Sequence, residues 1–533
     1  MAFGWIWVAV ACAPEPQPER PQPTTPQPEP EPPAIVEPPE VRLNEVVSAN
    51  DSVWQAPDGP TPDAFELVNL GAAPVELGRL TVRDGSGGEW VGSGTLEAGA
   101  FLVVAADDTD APGHAPFGIG SDGDRLVLSA DGVPLDEVEV PPLPDDVVYA
   151  WFDGGWAPTV DATFGEGNPG APSASLDPSD ALFGDDHLST FAITVDPAYE
   201  AALDVQFGEG VPGRLTYDGV TLDVQVKLKG SGSWQDLSGK PPWKLDLNAV
   251  VPGQRLRGLE GITLNNGDHD PTFAREVTTY EAFAAAGIPA PRVGWARVTY
   301  NGEDYGLYVH VETIDDEFLR RWYPDPTGML LEGTMDGDVS RWELLELEEG
   351  ALDEGMLTAL DAVLADPYAA DALPRLEALV DLDAFLTYAA VEALALHWDG
   401  YQKPKNYHVY LDPTDGRLEW LPHGTDWTWI VPNSLWHGEG AVYRFCLEQP
   451  ACVDRYAAAV RAVADAFELQ GAPERFAARS AWLRPEILAD PRNVDTEEVL
   501  DGHVALTAEN LAARADALRS ELDGEVTVAG EGR

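Results

Sequence analysis

The chain has 533 residues, which is enough for several domains at roughly 150 residues each. Apolar residues make up 44% of it, ample for real cores, and no internal apolar run is long enough to span a bilayer. Its 92 acidic residues against 32 basic ones give a net charge of −60, which argues against a nucleic-acid-binding protein because such a protein needs a basic footprint.

The first 40 residues have the composition of an exported, tethered protein. Residues 1–12, MAFGWIWVAVAC, are apolar and end in small residues before Cys12, so they resemble a bacterial lipoprotein signal with Cys12 as the lipidated residue. The alternative is an ordinary secretion signal. Residues 13–40 are rich in Pro and Glu, and proline favours an extended backbone. This segment is therefore predicted to space the protein from a membrane or cell surface.

Residues 41–172 show the pattern of an all-β domain. Short alternating runs such as VRLNEVVSA, AFELVNLG and DRLVLSADG are separated by Gly, Pro and Asp at the spacing typical of a β-sandwich. The segments LNEVVSANDSVW and DAFELVNLGAAPVELGRLTVRDG resemble the lamin-tail domain, an immunoglobulin-like sandwich. The resemblance implies adhesion or targeting rather than catalysis, with a ligand that the sequence does not reveal.

From residue 173 to about 525 the pattern becomes mixed, and residues 526–533 form a short tail. Residues 190–250 are strand-rich, Asp270-Pro271 is predicted to open the helix TFAREVTTYEAFAAAG, and Asn301-Gly302 signals a hairpin. Residues 340–396 and 451–523 are expected to be mainly helical. The predicted fold is thus an α+β domain with a strand-rich lobe followed by a helical lobe.

The stretch from His397 to Trp429 contains the candidate catalytic residues. A helix over residues 381–396 leads into a loop with Asp399 and Asn406, a hairpin follows, and Asp426 lies beyond its second strand. Phosphoryl-transfer enzymes use this order of elements to hold a metal and to position a hydroxyl group. Turn and helix caps are the structural alternative for these residues.

Lysine is rare and clustered in this chain. There are six lysines against 26 arginines, and they fall in two stretches, Lys227, Lys229, Lys240 and Lys244 in the first and Lys403 and Lys405 in the second. A compact ammonium and a planar guanidinium are not equivalent at a phosphate. The first cluster is therefore predicted to supply a phosphate-contacting lysine, with Lys244 favoured and Lys229 second.

Five segments in order resemble the CotH family of kinase-like proteins: KLKGSGSW with KPPWKLDLN, LNNGDHDPTFARE, YNGEDYGLYVHVE, HWDGYQKPKNYHVYLD and LPHGTDW. The resemblance spans about residues 190–450. It implies an atypical protein-kinase fold that transfers phosphate from ATP, with Mg or Mn, to Ser or Thr hydroxyls of exported proteins.

The resemblance also implies roles for individual residues. Asp399 matches the catalytic Asp, while Asn406 and Asp426 offer the hard oxygen ligands that Mg²⁺ or Mn²⁺ prefers. In the upstream lobe, Glu276 is expected to pair with the phosphate-contacting lysine, or Arg275 beside it to contact phosphate instead, and a solvent-exposed charge is the alternative for each. Glu312 falls where a kinase places its hinge to adenine.

One motif departs from the family pattern, and one pair of cysteines is expected to form a disulfide. The family reads Pro-Trp-Asp-x-Asp near the metal, whereas this chain reads PHGTD, so Gly424 replaces the first acid. Asp426 or His423 then supplies the metal ligand in place of the missing acid, or the chain is a catalytically inactive pseudokinase acting as a surface adhesion or scaffold protein. Cys446 and Cys452 are expected to pair as a disulfide in an exported protein, and two buried thiols are the alternative.

Overall fold

The computed structural model describes Met1 and residues 38–185, 187–334 and 337–524. Cys12, nearly all of the 13–40 tether and the 526–533 tail lie outside the described residues, so their assignments stay predictions. Within the described ranges, no helix is both long and apolar enough to cross a membrane. The described residues from Glu40 onward belong to one compact unit.

Two facing sheets form the N-terminal region. Its strands are β1 (Val41–Val47), β2 (Asp63–Asn69), β3 (Val75–Glu76), β4 (Leu80–Arg83), β5 (Glu89–Val91), β6 (Thr95–Leu96), β7 (Phe101–Ala106), β8 (His114–Ala115), β9 (Asp124–Ala130), β10 (Val133–Val140), β11 (Val148–Phe152) and β12 (Gly155–Thr159). One sheet has the order β12-β11-β1-β2-β7-β8, a second has the order β10-β9-β4-β5, and β3 pairs with β6.

The two larger sheets share one apolar core. Alternate residues of each strand point inward, so Phe65 and Leu67 of β2 pack in the same cluster as Val82 of β4 and Leu126 of β9. The prediction of a strand-rich N-terminal region is confirmed. The immunoglobulin-like and lamin-tail assignments stay predictions.

A closed barrel of seven strands comes next. The strands are β13 (Ser189–Val195), β14 (Val211–Tyr217), β15 (Val220–Leu228), β16 (Trp243–Asp246), β17 (Gly261–Asn265), β18 (Val293–Tyr300) and β19 (Glu303–Val311), and the barrel runs β13-β14-β15-β16-β17-β19-β18 with a parallel β13–β18 pair. Trp243 and Leu245 fill its interior, whereas Lys244 between them points outward because strand side chains alternate.

Two helices accompany the barrel, the short α1 (Glu200–Leu203) and the longer α2 (Arg275–Ala285). The helix expected from Asp270-Pro271 begins at Arg275. The turn before it is fixed by the Asp270 carboxylate, which accepts hydrogen bonds from the backbone N–H groups of Thr272 at 3.0 Å and Arg275 at 2.8 Å. Both sides of α2 are buried, and Phe283 packs on Tyr388 with ring centroids 5.2 Å apart.

The C-terminal region is mainly helical, as predicted. It also contains a four-stranded sheet, of which only the last hairpin was expected. Its sheet has the order β21-β20-β22-β23, and its elements are α3 (Asp316–Trp322), β20 (Met329–Glu332), β21 (Glu346–Glu349), α4 (Glu354–Leu364), α5 (Ala372–Glu377), α6 (Leu382–Leu394), β22 (Tyr407–Asp412), β23 (Arg417–Pro422), α7 (Ala441–Leu447), α8 (Pro450–Glu468), α9 (Ala472–Ala489) and α10 (Glu497–Leu522).

One part of the expected helical region is a strand. Residues 346–349, ELEE, have good helix formers, yet they pair with β20, where Leu347 lies opposite Leu331 and Glu346 opposite Glu332. Backbone pairing with an existing sheet outweighs intrinsic helix preference here. The predicted hairpin of β22 and β23 has the expected turn, with Asp412 opposite Arg417.

Two features hold the helical region together. Helix α6 is buried at ten of its 13 positions and lies at the centre of the largest apolar cluster. Cys446 of α7 and Cys452 of α8 form a disulfide.

Candidate active site

The loop after α6 is held in place by a buried acid inside that helix. The Glu392 carboxylate accepts hydrogen bonds from the backbone N–H of Tyr401 at 2.6 Å and from the Tyr388 hydroxyl at 2.9 Å. Burial raises the pKa of Glu392 to about 8. Sequence reasoning missed this residue, although a single acid within the apolar run AFLTYAAVEALAL was a usable signal.

Asp399 lies in this loop and is only partly satisfied by its neighbours. The Asn406 side-chain N–H₂ donates to the Asp399 carboxylate at 3.1 Å and to its carbonyl oxygen at 3.1 Å. The other carboxylate oxygen, Oδ1, is buried and has no hydrogen-bond partner among the described residues. Burial, followed by the charge of Asp426, raises the pKa of Asp399 to about 6.

His397 lies beneath Asp399 as a neutral ring. It is fully buried, neither ring nitrogen has a hydrogen-bond partner within the described ranges, and its Nε2 is 3.7 Å from Asp399 Oδ1. Burial lowers the pKa of His397 to about 4. Unsatisfied buried groups of this kind are rare in structures and call for an explanation.

Asp426 approaches the same loop from the end of β23. His269, in the segment before α2, places its Nδ1 3.2 Å from the Asp426 carboxylate and stacks on Trp427 at a centroid distance of 4.9 Å. Burial opposes ionisation of Asp426, but the hydrogen bond from His269 and the charge of Lys229 hold its pKa below the ordinary value. His269 was not predicted as a site residue.

Gly424 has a structural reason to lack a side chain. Its φ of +56° lies in the left-handed region, and a Cβ built there would be 2.9 Å from Asn406 Cγ. An acid at this position would be strained and would displace Asn406 from its contact with Asp399. The glycine therefore belongs to the packing that positions Asn406.

The opposite wall is formed by the outer face of the barrel. Lys229, just beyond β15, donates to the Asn265 side-chain oxygen at 2.8 Å, and the Asn265 N–H₂ donates to both Glu276 carboxylate oxygens at 3.0 Å. Glu276 was predicted to pair with the phosphate-contacting lysine, for which Lys244 was favoured and Lys229 was second; Lys229 is the one that reaches Glu276, through Asn265. Burial lowers the pKa of Lys229, and burial together with Asp426 raises the pKa of Glu276 to about 8.

The structure separates the other lysines by location. Lys244 lines the same wall as Lys229, and Lys405 lines the opposite wall beside Asp399. Lys240 is instead buried in an ion pair with Asp490 at 2.6 Å, and the Lys403 ammonium lies 4.7 Å from the Trp398 ring centroid.

Two predicted nucleotide-binding residues are occupied by other contacts. Arg275 is fully buried and donates to the His269 carbonyl oxygen at 3.1 Å and the Thr507 hydroxyl at 3.2 Å, so it faces α10. Glu312 lies at the edge of the cleft, but its carboxylate pairs with Arg292 at 2.6 Å and with Arg321. Their predicted roles toward nucleotide stay predictions, and these contacts do not favour them.

The two walls enclose one cleft of about 850 Å³. It brings together Asp399, Asn406, Asp426, Lys229, Lys244 and Glu276. Sequence reasoning did not single out several other lining residues, namely Glu332, Glu348, His408 and Trp427. Neighbouring acids and cations on facing walls provide the charges needed to hold a polyphosphate and a divalent cation.

Comparison with known proteins identifies the family. The family described as CotH kinase protein matches residues 226–527. The chain belongs to the CotH kinase family. The matched region contains every predicted site residue of the cleft.

Two named proteins are similar to this chain in sequence. The chain is 24% identical over 243 residues to the inner spore coat protein H of Bacillus subtilis, covering 43% of this chain and 65% of the relative. It is 24% identical over 232 residues to the invasin CotH2 of Rhizopus delemar, covering 38% of this chain and 38% of the relative. The chain therefore spans less than two thirds of either relative.

Solved structures give weaker likenesses. A complex of HipA, HipB and operator DNA from a toxin–antitoxin system of Shewanella oneidensis matches with a TM-score of 0.26 and 12% identity, covering 50% of this chain and 61% of that chain. The Helicobacter pylori proinflammatory kinase CtkA matches with a TM-score of 0.24 and 10% identity, covering 60% and 94%. At these scores the likeness adds nothing to the fold described above.

Proposed function

We propose that this CotH-family chain is an atypical kinase that transfers the terminal phosphoryl group of ATP to Ser or Thr hydroxyls of exported proteins. The observation that carries the proposal is the cleft, which has Asp399, Asn406 and Asp426 on one wall and Lys229 and Lys244 on the other. Phosphoryl transfer depends mainly on positioning and on stabilising negative charge, and this arrangement supplies groups for both.

Asp399 orients the acceptor hydroxyl and takes its proton. Its Oδ2 accepts a hydrogen bond from the Asn406 side chain, and the Asp399 side chain lines the cleft, where its carboxylate can accept the hydroxyl proton. With a pKa of about 6, Asp399 is ionised at neutral pH and close enough to that range to accept a proton effectively. Lys229 and Lys244 hold the phosphates on the barrel side.

Asn406 and Asp426 would hold the Mg²⁺ or Mn²⁺ that accompanies ATP. The pKa of Asp426 is held below its ordinary value, so it is an anionic oxygen donor at neutral pH. Asn406 uses its N–H₂ toward Asp399, which leaves its amide oxygen for a cation. When bound, the ion neutralises charge on the phosphates.

Export and surface attachment are part of the proposal. The apolar start of the chain, the position of Cys12 and the Pro/Glu-rich segment after it support a lipoprotein tethered to a membrane or cell surface. The two relatives, a spore coat protein and an invasin, are consistent with a role outside the cytoplasm. The net charge of −60 supports a protein partner rather than a nucleic acid.

The second candidate function is a pseudokinase that serves as a surface adhesion or scaffold protein. Gly424 favours it, because the acid expected at this position is replaced by a glycine whose geometry accepts no side chain without displacing Asn406. In that case the cleft binds nucleotide without turnover, and the β-sandwich provides the adhesive surface.

Incubating the full chain with ATP and Mn²⁺, followed by intact-mass spectrometry of the chain and of added exported proteins, separates the two candidates. The kinase proposal predicts added phosphate that is lost in Asp399→Ala and kept in Asp516→Ala, whose carboxylate is exposed on α10. Absence of added phosphate from every sample, with Asp399→Ala indistinguishable from wild type, would rule out the enzyme.

A further inference from the structure

The segment between β15 and β16, residues 229–242, carries a glycine- and serine-rich stretch along the edge of the cleft. Gly230, Ser231, Gly232 and Ser233 all line the cavity. Gly230 adopts φ +88°, and a Cβ there would be 2.7 Å from the Ser233 hydroxyl, so the loop turns too tightly for a larger residue.

Three consecutive backbone donors near the start of this loop are unpaired. Among the residues that the structure describes, none accepts a hydrogen bond from the N–H groups of Ser231, Gly232 or Ser233. The Ser233 carbonyl oxygen accepts from the Asn266 side chain at 2.9 Å, and farther along the loop the N–H groups of Leu237 and Lys240 donate to the Asp204 and Gln235 side chains, each at 2.8 Å. Consecutive free N–H groups beside a cleft that also contains lysines can donate to phosphate oxygens.

The far end of the loop is fixed by residues from the distant end of the chain. Lys240 forms an ion pair with Asp490 at 2.6 Å, with side chains only 6% and 1% exposed. The Lys240 ammonium also lies over the rings of Phe273 at 4.8 Å and Tyr308 at 5.1 Å. Removing either partner of such a buried pair leaves an uncompensated charge and is strongly destabilising, so the two side chains hold this end of the loop against the 490–492 segment.

Arg492 makes the second attachment. Its guanidinium donates to the carbonyl oxygens of Leu237 at 3.1 Å and Ser238 at 3.2 Å, and also to that of Gly239. The same guanidinium stacks over Tyr305, with its carbon 3.5 Å from the ring centroid. Three consecutive carbonyl groups of the loop are thereby turned toward one cation.

Asp490 is itself tightly positioned. It accepts hydrogen bonds from the backbone N–H groups of Leu307 in β19 at 3.0 Å and of Arg492 at 2.8 Å. Gly306 allows this approach, because a Cβ there would be 1.9 Å from the Asp490 carboxylate. The segment between α9 and α10 thus contacts both the barrel and the loop.

We propose that Asp490 and Arg492 are positioning residues for nucleotide binding. They hold the loop at residues 230–239 so that its free N–H groups face the β- and γ-phosphates of a nucleoside triphosphate. Neither side chain lines the cleft, so both act through the loop. This inference rests on the proposed function, since it assigns a further contact to the same nucleotide.

Calorimetric binding of ATP and of AMP, each with Mn²⁺, to full-length variants tests the proposal. Arg492→Met removes the attachment, Arg492→Lys keeps the charge but not the fork, and Arg484→Met removes an arginine that pairs with Glu497 and Asp501 instead. Hydrogen exchange of residues 230–239 is measured on the same samples.

For Arg492→Met we expect ATP affinity to fall about tenfold, AMP affinity to stay within about twofold, and exchange in the loop to accelerate. Arg492→Lys should lie between wild type and Arg492→Met, and Arg484→Met should match wild type. If Arg492→Met does not fold, the same ATP-selective loss in Arg492→Lys supports the proposal.

Unchanged ATP affinity, or equal losses for ATP and AMP, would overturn the positioning role while leaving the proposed function intact. Wild-type protein that binds no ATP would overturn both.

Discussion

The β-sandwich and the cleft both contain buried carboxylates with raised pKa values, but they satisfy them differently. In the sandwich, Glu45 and Glu66 are cross-strand neighbours, and burial raises the pKa of Glu45 to about 8 and that of Glu66 to about 7. In the cleft, burial raises the pKa of Asp399 to about 6 and that of Glu276 to about 8.

The two sandwich carboxylates, Glu45 and Glu66, accept hydrogen bonds from donors of their own domain. Glu45 accepts from the backbone N–H and hydroxyl of Thr163 at 3.0 and 3.2 Å, and Glu66 accepts from the Asn44 side chain at 2.8 Å. The cleft instead has lysines on the facing wall and an unpartnered oxygen on Asp399. A raised pKa therefore does not mark a functional site by itself. What distinguishes the cleft is that its raised-pKa carboxylates lie beside open volume, unpaired polar atoms and groups of opposite charge.

The largest expected effect is a loss of ATP affinity on replacing Lys229, the cleft lysine that donates to Asn265. Lys229→Met should weaken ATP binding about tenfold to a hundredfold, because a charged hydrogen bond to phosphate is lost. Lys227→Met is the matched control, since Lys227 lies two residues earlier, within β15, is exposed and does not line the cleft. Titration calorimetry with ATP and Mn²⁺ measures the affinity of both variants. Equal losses of ATP affinity would contradict a specific contact between Lys229 and the phosphates.

A smaller effect is expected at Gly424, where stability reports on the site's packing. Gly424→Ala should lower the free energy of unfolding by about 2 kcal/mol, combining left-handed strain with the contact to Asn406. Gly416→Ala has the same kind of backbone, φ +73°, but open space around its Cβ, so about 1 kcal/mol is expected. Urea unfolding compares them, and equal costs would contradict the packing explanation for the missing acid.

The last prediction concerns pH and the sandwich. The folded-state pKa of Glu45, about 8, is above the unfolded value near 4.3. The folded protein then holds a proton that the unfolded chain releases, so the free energy of unfolding falls as pH rises through this window.

Glu45→Gln removes that titration, so its stability should vary less between about pH 5 and pH 8 than that of wild type. Urea unfolding across this range measures the slopes, with Glu139→Gln as the exposed control. A wild-type slope equal to that of Glu45→Gln would show that Glu45 is ionised in the folded state.

Much of the architecture could be predicted from local patterns. Alternation identified the strand-rich regions, and the apolar run before His397 identified α6, because both depend on residues close in sequence. The ELEE strand could not be predicted, since its pairing with β20 depends on a partner chosen by the tertiary fold. The start of α2 was misplaced by four residues because the Asp270 carboxylate stabilises a turn first.

For the candidate site, the sequence indicated the residues but not their partners. Asp399, Asn406 and Asp426 were singled out by order and spacing, and the structure places them in one cleft with Lys229 and Lys244. Asn265 and His269 were missed because their roles depend on distances between segments far apart in the chain. Lys240, from the same lysine cluster, forms a structural ion pair that only three-dimensional contact reveals.

The central claim is that ATP and a divalent cation bind in the cleft through Asp426 and the facing lysines. Thermal unfolding of full-length protein with increasing ATP and Mn²⁺ tests it most directly, because a ligand that binds only the folded state raises the unfolding midpoint. We predict a concentration-dependent rise for wild type and none for Asp426→Ala. No rise in wild type, or the same rise in Asp426→Ala, would contradict the claim.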